Sequence, residues 1–207
     1  EPGRECKGAL RIRGGSFATR ILTMGWGPNS EAKLAIEGSR AEAVHVLDFV
    51  TLGAYLDRPA SRSTMEFTLD EHGVTPITIQ NPRGGVTMVR KPPQNVCRLS
   101  IALSAVPPRD DVTLIAAHAK TKGTFDDLAE GAEVSASYQG RTYRWTLTYT
   151  GGSSGCNVVL THVRGHAEEA PVTHVWPVPA VPKLLWTEIP LREPLPATFE
   201  PAFDGAE

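Results

Sequence analysis

The segment Arg98-Leu99-Ser100-Ile101-Ala102-Leu103 alternates large apolar residues with small or polar ones, position by position. Successive side chains of a β-strand point to opposite faces, so such alternation places Leu99, Ile101 and Leu103 together on one face. The segment therefore predicts a strand at 99–103 with its apolar face buried.

Similar short runs recur along the chain and are separated by turn-forming residues about every 10 positions. The chain contains 19 Gly and 17 Pro, and helical spacing predicts at most single turns at 30–33, 41–42 and 126–130. We therefore predict an all-β chain, with strands at 99–103, 112–116, 143–149 and 158–163. The side chains expected in its core are Leu99, Ile101, Leu103, Val112, Leu114, Phe125, Tyr143, Trp145, Leu147, Val158 and Leu160.

Length and charge limit the classes of function. A chain of 207 residues is long enough for one main domain. With 21 Lys and Arg against 23 Asp and Glu, it lacks the basic surface typical of nucleic-acid binding. No apolar run reaches the roughly 18–20 residues of a membrane helix, so we predict neither a nucleic-acid partner nor a membrane span. The opening Glu1-Pro2-Gly3 is typical of a processed or trimmed start, and we expect the chain to be the mature part of something longer.

The composition changes after His166. Eight prolines follow within a short stretch, and each removes a backbone donor and favours extended chain. We therefore predict a body at residues 1–166 and an extended Pro-rich tail at 167–207. Apolar side chains in this tail are costly to leave in water, and we expect residues 183–207 to bind other protein subunits. The expected partner-binding residues are Trp176, Leu184, Leu185, Trp186, Ile189, Leu191, Phe199 and Phe203.

Three segments have a familiar form when read together. Residues 123–134 begin Gly123-Thr124-Phe125 and contain Glu130-Gly131-Ala132, residues 143–152 end in Gly151-Gly152, and residues 157–161 follow. This series resembles the closing element of the autotransporter-associated β-strand repeat proteins, and the likeness extends over roughly residues 8–163. Two features depart from the family pattern: Cys156-Asn157 stands where the family has Asn-Asp, and the Pro-rich tail replaces a membrane barrel or sorting signal.

The resemblance implies a short right-handed parallel β-helix-like body, or a β-sandwich-like one, on the bacterial cell surface. In such a fold each turn of the chain needs neighbouring turns to bury its apolar interior.

The sequence gives little sign of catalysis. The paired acids Asp70-Glu71, Asp110-Asp111 and Asp126-Asp127 all fall in predicted turns, where Asp satisfies local backbone donors. His162 and His166 are four residues apart, which on an extended strand is about 13 Å and too far for one metal ion. No nucleophile motif is recognisable, and Gly151–Gly155 is typical of a hairpin turn. We therefore predict no catalytic residue, no metal site and no cofactor.

The three cysteines, Cys6, Cys97 and Cys156, match no metal or redox spacing. Three interpretations remain open: three small buried apolar residues, one disulfide with one thiol left over, or, least favoured, a metal site.

Trp26 lies between two glycines and is the only body residue with a case for ligand binding, although a tryptophan that covers one end of the fold is the commoner arrangement. The leading hypothesis is a non-catalytic secreted or envelope scaffold that docks onto partner subunits through its tail. The alternatives are a carbohydrate-binding β domain, and a β-helix enzyme acting on polysaccharides.

Overall fold

A computed structural model describes residues 6–26, 29–53, 61–89 and 95–166. Within these ranges the chain forms strands and no helix, so the all-β prediction is confirmed. The strands are β1 Cys6–Ile12, β2 Gly15–Met24, β3 Ser30–Glu37, β4 Ala41–Leu52, β5 Ser61–Leu69, β6 Ile77–Ile79, β7 Val86–Met88, β8 Asn95–Leu103, β9 Val112–Ala116, β10 Glu133–Tyr138, β11 Arg141–Gly151 and β12 Asn157–Arg164.

The strands form two sheets, and the chain passes alternately from one to the other. The first sheet has the order β1-β3-β5-β8, and all its neighbours are parallel. The second begins with parallel β2, β4, β6 and β9, with β7 also beside β4. It continues through the antiparallel strands β12, β11 and β10. The chain therefore makes four passes, β1–β2, β3–β4, β5–β6 and β8–β9, and each pass contributes one of these strands to each sheet.

Because neighbouring strands pair in parallel and in register, buried side chains of one strand lie beside buried side chains of the next. In the first sheet Leu34 pairs with Met65 and Ile36 with Phe67, and all four side chains are buried. In the second sheet Val44, Val46, Val50 and Leu52 of β4 are buried. Burying each such side chain contributes about 1.5–3 kcal/mol. These residues belong to one continuous apolar core.

The antiparallel strands β10–β12 extend the second sheet beyond the last parallel pair. Strand β9 lies between β6 and β12, and Val112, Leu114 and Ile115 are all buried. Tyr143, Trp145 and Leu147 of β11 are likewise buried. The strands predicted at 99–103, 112–116, 143–149 and 158–163 are present, with longer bounds at three of the four.

Two details of the prediction are wrong. Leu99, Ile101 and Leu103 are only partly buried, because β8 is an edge strand of its sheet and has a partner on one side only. Residues 30–33 and 41–42 form no helical turn, because parallel pairing draws them into β3 and β4. The predicted tail, residues 167–207, lies outside the described residues.

Candidate functional site

The acidic pair Asp70-Glu71 lies in the turn after β5, and Asp70 joins this turn to the one after β3. Its Oδ2 accepts hydrogen bonds from the Ser39 backbone N–H at 2.7 Å and the Ser39 hydroxyl at 2.8 Å. Its Oδ1 accepts one from the His72 N–H at 2.9 Å. Partial burial acts to raise the pKa of Asp70, but the hydrogen bonds from Ser39 and His72 outweigh it and hold the pKa below its ordinary value. The Asp70 carboxylate therefore holds the turn after β5 against the turn after β3.

The first testable prediction follows from this carboxylate. A carboxyl whose folded-state pKa is depressed stabilises the fold above its ordinary pKa of 3.8, and that contribution is lost as the pH falls through the folded value. Asp70→Asn should lower the free energy of unfolding by about 1 kcal/mol near neutral pH. The difference in unfolding free energy between Asp70→Asn and the wild type should disappear as the pH falls below about 4.

Urea titrations at a series of pH values measure this gap. The exposed Asp110, in the loop before β9, provides the matched control, and Asp110→Asn should change the stability by less than about 0.5 kcal/mol. A gap for Asp70→Asn that stays constant down to about pH 3 would contradict the role assigned to the carboxylate.

The other candidate catalytic and metal-binding groups do not converge within the described part of the chain. Asp110 and Asp111 are exposed in the loop before β9. His162 belongs to β12, whereas the His166 ring lies edge-on to Tyr143 with the ring centroids 5.2 Å apart. Among the described residues, no group of three His, Cys, Asp or Glu side chains is placed to hold a metal ion. Cys6, Cys97 and Cys156, all described, form no disulfide; Cys6 is exposed, and Cys97 and Cys156 are buried.

The segment that carries the family resemblance forms an interlock against β11. The Phe125 side chain is fully buried, and the Phe125 N–H donates to the Tyr149 hydroxyl at 3.0 Å. That hydroxyl donates in turn to the Leu128 carbonyl at 2.7 Å. The Glu130 carboxylate accepts from the Tyr149 N–H at 2.7 Å. Phe125, Leu128, Glu130 and Tyr149 therefore hold this loop onto β11.

Trp26 lies at one end of a cleft on the outer face of the second sheet. The cleft has a volume of about 730 Å³. Its lining residues are Ile21, Thr23, Trp26, Phe49, Thr51, Thr87 and Val89. The Trp26 side chain is 50% exposed.

The lining residues are contributed by three adjacent parallel strands. Ile21 of β2 pairs directly with Phe49 of β4. Thr23, Thr51 and Thr87 occupy one register across β2, β4 and β7. The cleft therefore combines an apolar row with a row of three threonines.

Trp26 follows a firmly anchored strand end. The preceding Gly25 is buried with φ of 70°, and a Cβ there would come within 2.4 Å of the Ser63 Oγ. The Ser63 hydroxyl donates to the Met24 carbonyl at 3.0 Å, and the Gly53 N–H donates to the same carbonyl at 2.9 Å. The backbone is thus fixed immediately before the tryptophan.

Of the residues predicted to bind a ligand or partner, the structure describes only Trp26. The tail residues Trp176, Leu184, Leu185, Trp186, Ile189, Leu191, Phe199 and Phe203 lie outside the described ranges. The sequence pattern alone did not place Phe49 and Ile21 beside Trp26. A usable signal was the alternation Phe49-Val50-Thr51-Leu52, which places Phe49 and Thr51 on the face opposite the buried Val50 and Leu52.

Comparison of the chain with protein-family models, with curated proteins and with solved structures finds no match. In the described part of the chain there is no helix with the length and apolar character that a membrane crossing requires.

Proposed function

We propose that this chain is a non-catalytic structural module of the cell surface or envelope, with a short right-handed parallel β-helix as its body. The observation that carries the proposal is that the parallel strands β1 to β9, apart from β7, alternate between two sheets along the chain. Connections between parallel strands of one sheet are right-handed in about 98% of cases. Each pass of such a chain buries its apolar side chains against its neighbours, which suits a stacked scaffold.

The polar groups of the described residues support a structural role. The Asp70 carboxylate accepts hydrogen bonds from the turn after β3, and the Glu130 carboxylate accepts one from β11. A glycosidase needs two carboxyl groups facing one bond, one of them with a raised pKa. Among the carboxyl groups of the described residues, Asp48 and Asp70 have shifted pKa values, and both pKa values are lowered. For Asp48 the lowering comes first from the Arg20 hydrogen bond and then from the Asn81 hydrogen bond.

The tail completes the proposal. Residues 183–207 carry the apolar side chains Trp186, Ile189, Leu191, Phe199 and Phe203 among several prolines. Burying a tryptophan or phenylalanine side chain contributes about 2–3 kcal/mol, and proline reduces the conformational entropy lost on docking. The tail attaches the body to other protein subunits through these side chains.

Removal of residues 183–207 tests the attachment. The truncated chain should keep the circular dichroism spectrum and thermal unfolding midpoint of the full chain, while the native mass measured by light scattering falls to that of a single chain. A full-length variant with Trp186, Phe199 and Phe203 changed to Ser should behave in the same way, since it keeps the length of the tail. Retention of the truncated chain in its assembly, or a monomeric full-length protein, would refute the proposed function.

A further inference from the structure

Strand β1 is an edge of the first sheet. Among the described strands it pairs with β3 alone, in parallel and over all seven of its residues. An edge strand presents unpaired backbone donors and acceptors, which proline, a bulge or a covering segment can protect. Strand β1 contains no proline, its pairing with β3 has no register shift, and six of its seven residues are exposed. It therefore has the properties of a strand-addition site.

The apolar interior of the body also reaches the surface at β1. Leu10 pairs with Leu34 and Leu34 pairs with Met65, so the three side chains form one row across the first sheet. Leu34 and Met65 are 2% and 0% exposed, whereas Leu10 is 37% exposed. A groove of about 290 Å³ beside Leu10 is lined by residues of β1, β2 and β3, among them Leu22. An added strand with apolar side chains at alternate positions would cover Leu10 and fill this groove.

Charge narrows the class of segment that fits beside β1. Both charged side chains of β1 are basic, and both pair with acids of β3. Lys7 lies 3.6 Å from Glu31, and Arg11 lies 2.9 Å from Glu37. The β1 strand of a second copy would bring further basic side chains to this edge, and like charges on paired strands are unfavourable. Acidic side chains on the added strand would instead continue the alternation of bases and acids.

The tail supplies both properties. Residues 167–207 carry seven acidic side chains against two basic ones. Their longest run without proline, 183–189, has seven residues, the same length as β1. In an extended conformation this run has Leu185 and Ile189 on one face and Glu188 on the other. The apolar face suits the groove, and Glu188 suits the bases of β1.

We propose that β1 receives residues 183–189 of a second copy of this chain as an added strand. The proposal rests on the attachment through the tail proposed above, and it names the surface that receives the tail. Backbone hydrogen bonds to β1 hold the segment, and its apolar face covers Leu10. Pro182 and Pro190 end the pairing, because neither can donate a backbone hydrogen bond. Since the donating and receiving surfaces differ, the contact joins copies head to tail.

Two full-length variants, each lacking one side of the contact, test the proposal. Leu10→Lys places an ammonium group beside the groove and keeps the tail. The tail variant, Trp186→Ser with Phe199→Ser and Phe203→Ser, keeps β1 and loses the apolar contacts of the tail. Each should weaken assembly at least about tenfold and have the mass of a single chain by light scattering where the wild type is assembled. An equimolar mixture should form particles of two chains, because one variant still donates a tail and the other still receives it.

Matched substitutions control for general effects of charge. Leu47 is exposed on β4 and does not line the groove, so Leu47→Lys should assemble as the wild type does. Thermal unfolding of both lysine variants checks that the body remains folded. In the tail, Glu188→Lys should weaken assembly several-fold, whereas Glu169→Lys makes the same change of charge outside the pairing segment and should have little effect.

Hydrogen exchange reports on the β1 backbone directly. The amides of residues 6–12 that point away from β3 should exchange more slowly in the wild-type assembly than in the tail variant, because the added strand engages them.

The outcomes separate this proposal from the proposed function. If the tail variant is a single chain but Leu10→Lys assembles as the wild type does, the tail attaches elsewhere, and only the present proposal is overturned. A mixture of the two variants that remains as single chains would also overturn it. Slow exchange at residues 6–12 in a wild-type protein with the mass of one chain would place the tail on its own body and refute both.

Discussion

Phe125→Ala should lower the free energy of unfolding by about 3–5 kcal/mol, the range for truncating a fully buried aromatic side chain. Phe125 has no exposed surface, and its ring lies 6.2 Å from that of Tyr149, centroid to centroid. The loop around it is held by hydrogen bonds to Tyr149 and by the Asp126 N–H, which donates to the Cys97 carbonyl at 2.7 Å. Because β8 and β11 both hold this loop, its backbone cannot move into the space left by the ring. Most of the free-energy cost of the cavity therefore remains.

Urea denaturation followed by circular dichroism measures this loss. Phe49→Ala is the matched control, since it removes the same ring from the outer face and should cost less than about 1 kcal/mol. Tyr149→Phe should fall between the two, near 1–3 kcal/mol, because it leaves the Phe125 N–H without its hydroxyl partner. Equal losses for Phe125→Ala and Phe49→Ala would show that the loop relaxes and that the interlock contributes little.

The strands could be predicted from the sequence because alternation is a local property. Tyr143, Trp145 and Leu147 recur at every second residue, and all three point into the core. The pairing of the strands is not local. Leu34 pairs with Met65, and Val50 pairs with Val86, and each pair is separated by thirty or more intervening residues. Which strand lies at a sheet edge follows from that pairing, so the partial exposure of Leu99, Ile101 and Leu103 could not be predicted.

The candidate site could be predicted only in part, for a related reason. Trp26 attracts notice by its local context, between two glycines. Phe49 reaches the same cleft because the pairing of β2 with β4 shifts register between Thr19 and Ile21 and then places Ile21 opposite Phe49. Strict alternation from Val46 would also place Asp48 on the inner face. Its carboxylate instead binds Arg20 and Asn81 at this irregularity.

The interlock gives a physical reading of the motif on which the family resemblance depends. Phe125 fills the core, Glu130 and Tyr149 join loop to strand, and Gly131 donates its N–H to the Leu147 carbonyl at 2.9 Å. These contacts join the loop at 125–131 to β11 through one buried ring, one carboxylate and the backbone.

Gly84→Ala should destabilise the body by an amount near or above the upper end of the roughly 1–3 kcal/mol typical of overpacking. A Cβ at Gly84 would lie 2.2 Å from the Asp48 carbonyl oxygen and 2.5 Å from the Ile79 Cγ2. The backbone cannot shift freely to relieve these contacts. The Gly84 N–H donates to the Asn81 carbonyl at 2.7 Å, and the Gly84 carbonyl accepts from the Ala119 N–H at 2.9 Å.

The control for this last variant is Gly14→Ala, at an exposed turn where a Cβ would meet only the Arg40 carbonyl oxygen, 3.9 Å away. Both substitutions add one methyl group and restrict the unfolded chain equally, so the difference between their unfolding free energies isolates the native-state clash. We expect Gly14→Ala to change stability by less than about 1 kcal/mol, and Gly84→Ala to unfold at markedly lower urea concentration. Similar midpoints for the two variants would mean that β4 and the turn at 80–85 move apart at little cost. The close packing of the second sheet at Asp48 would then be wrong.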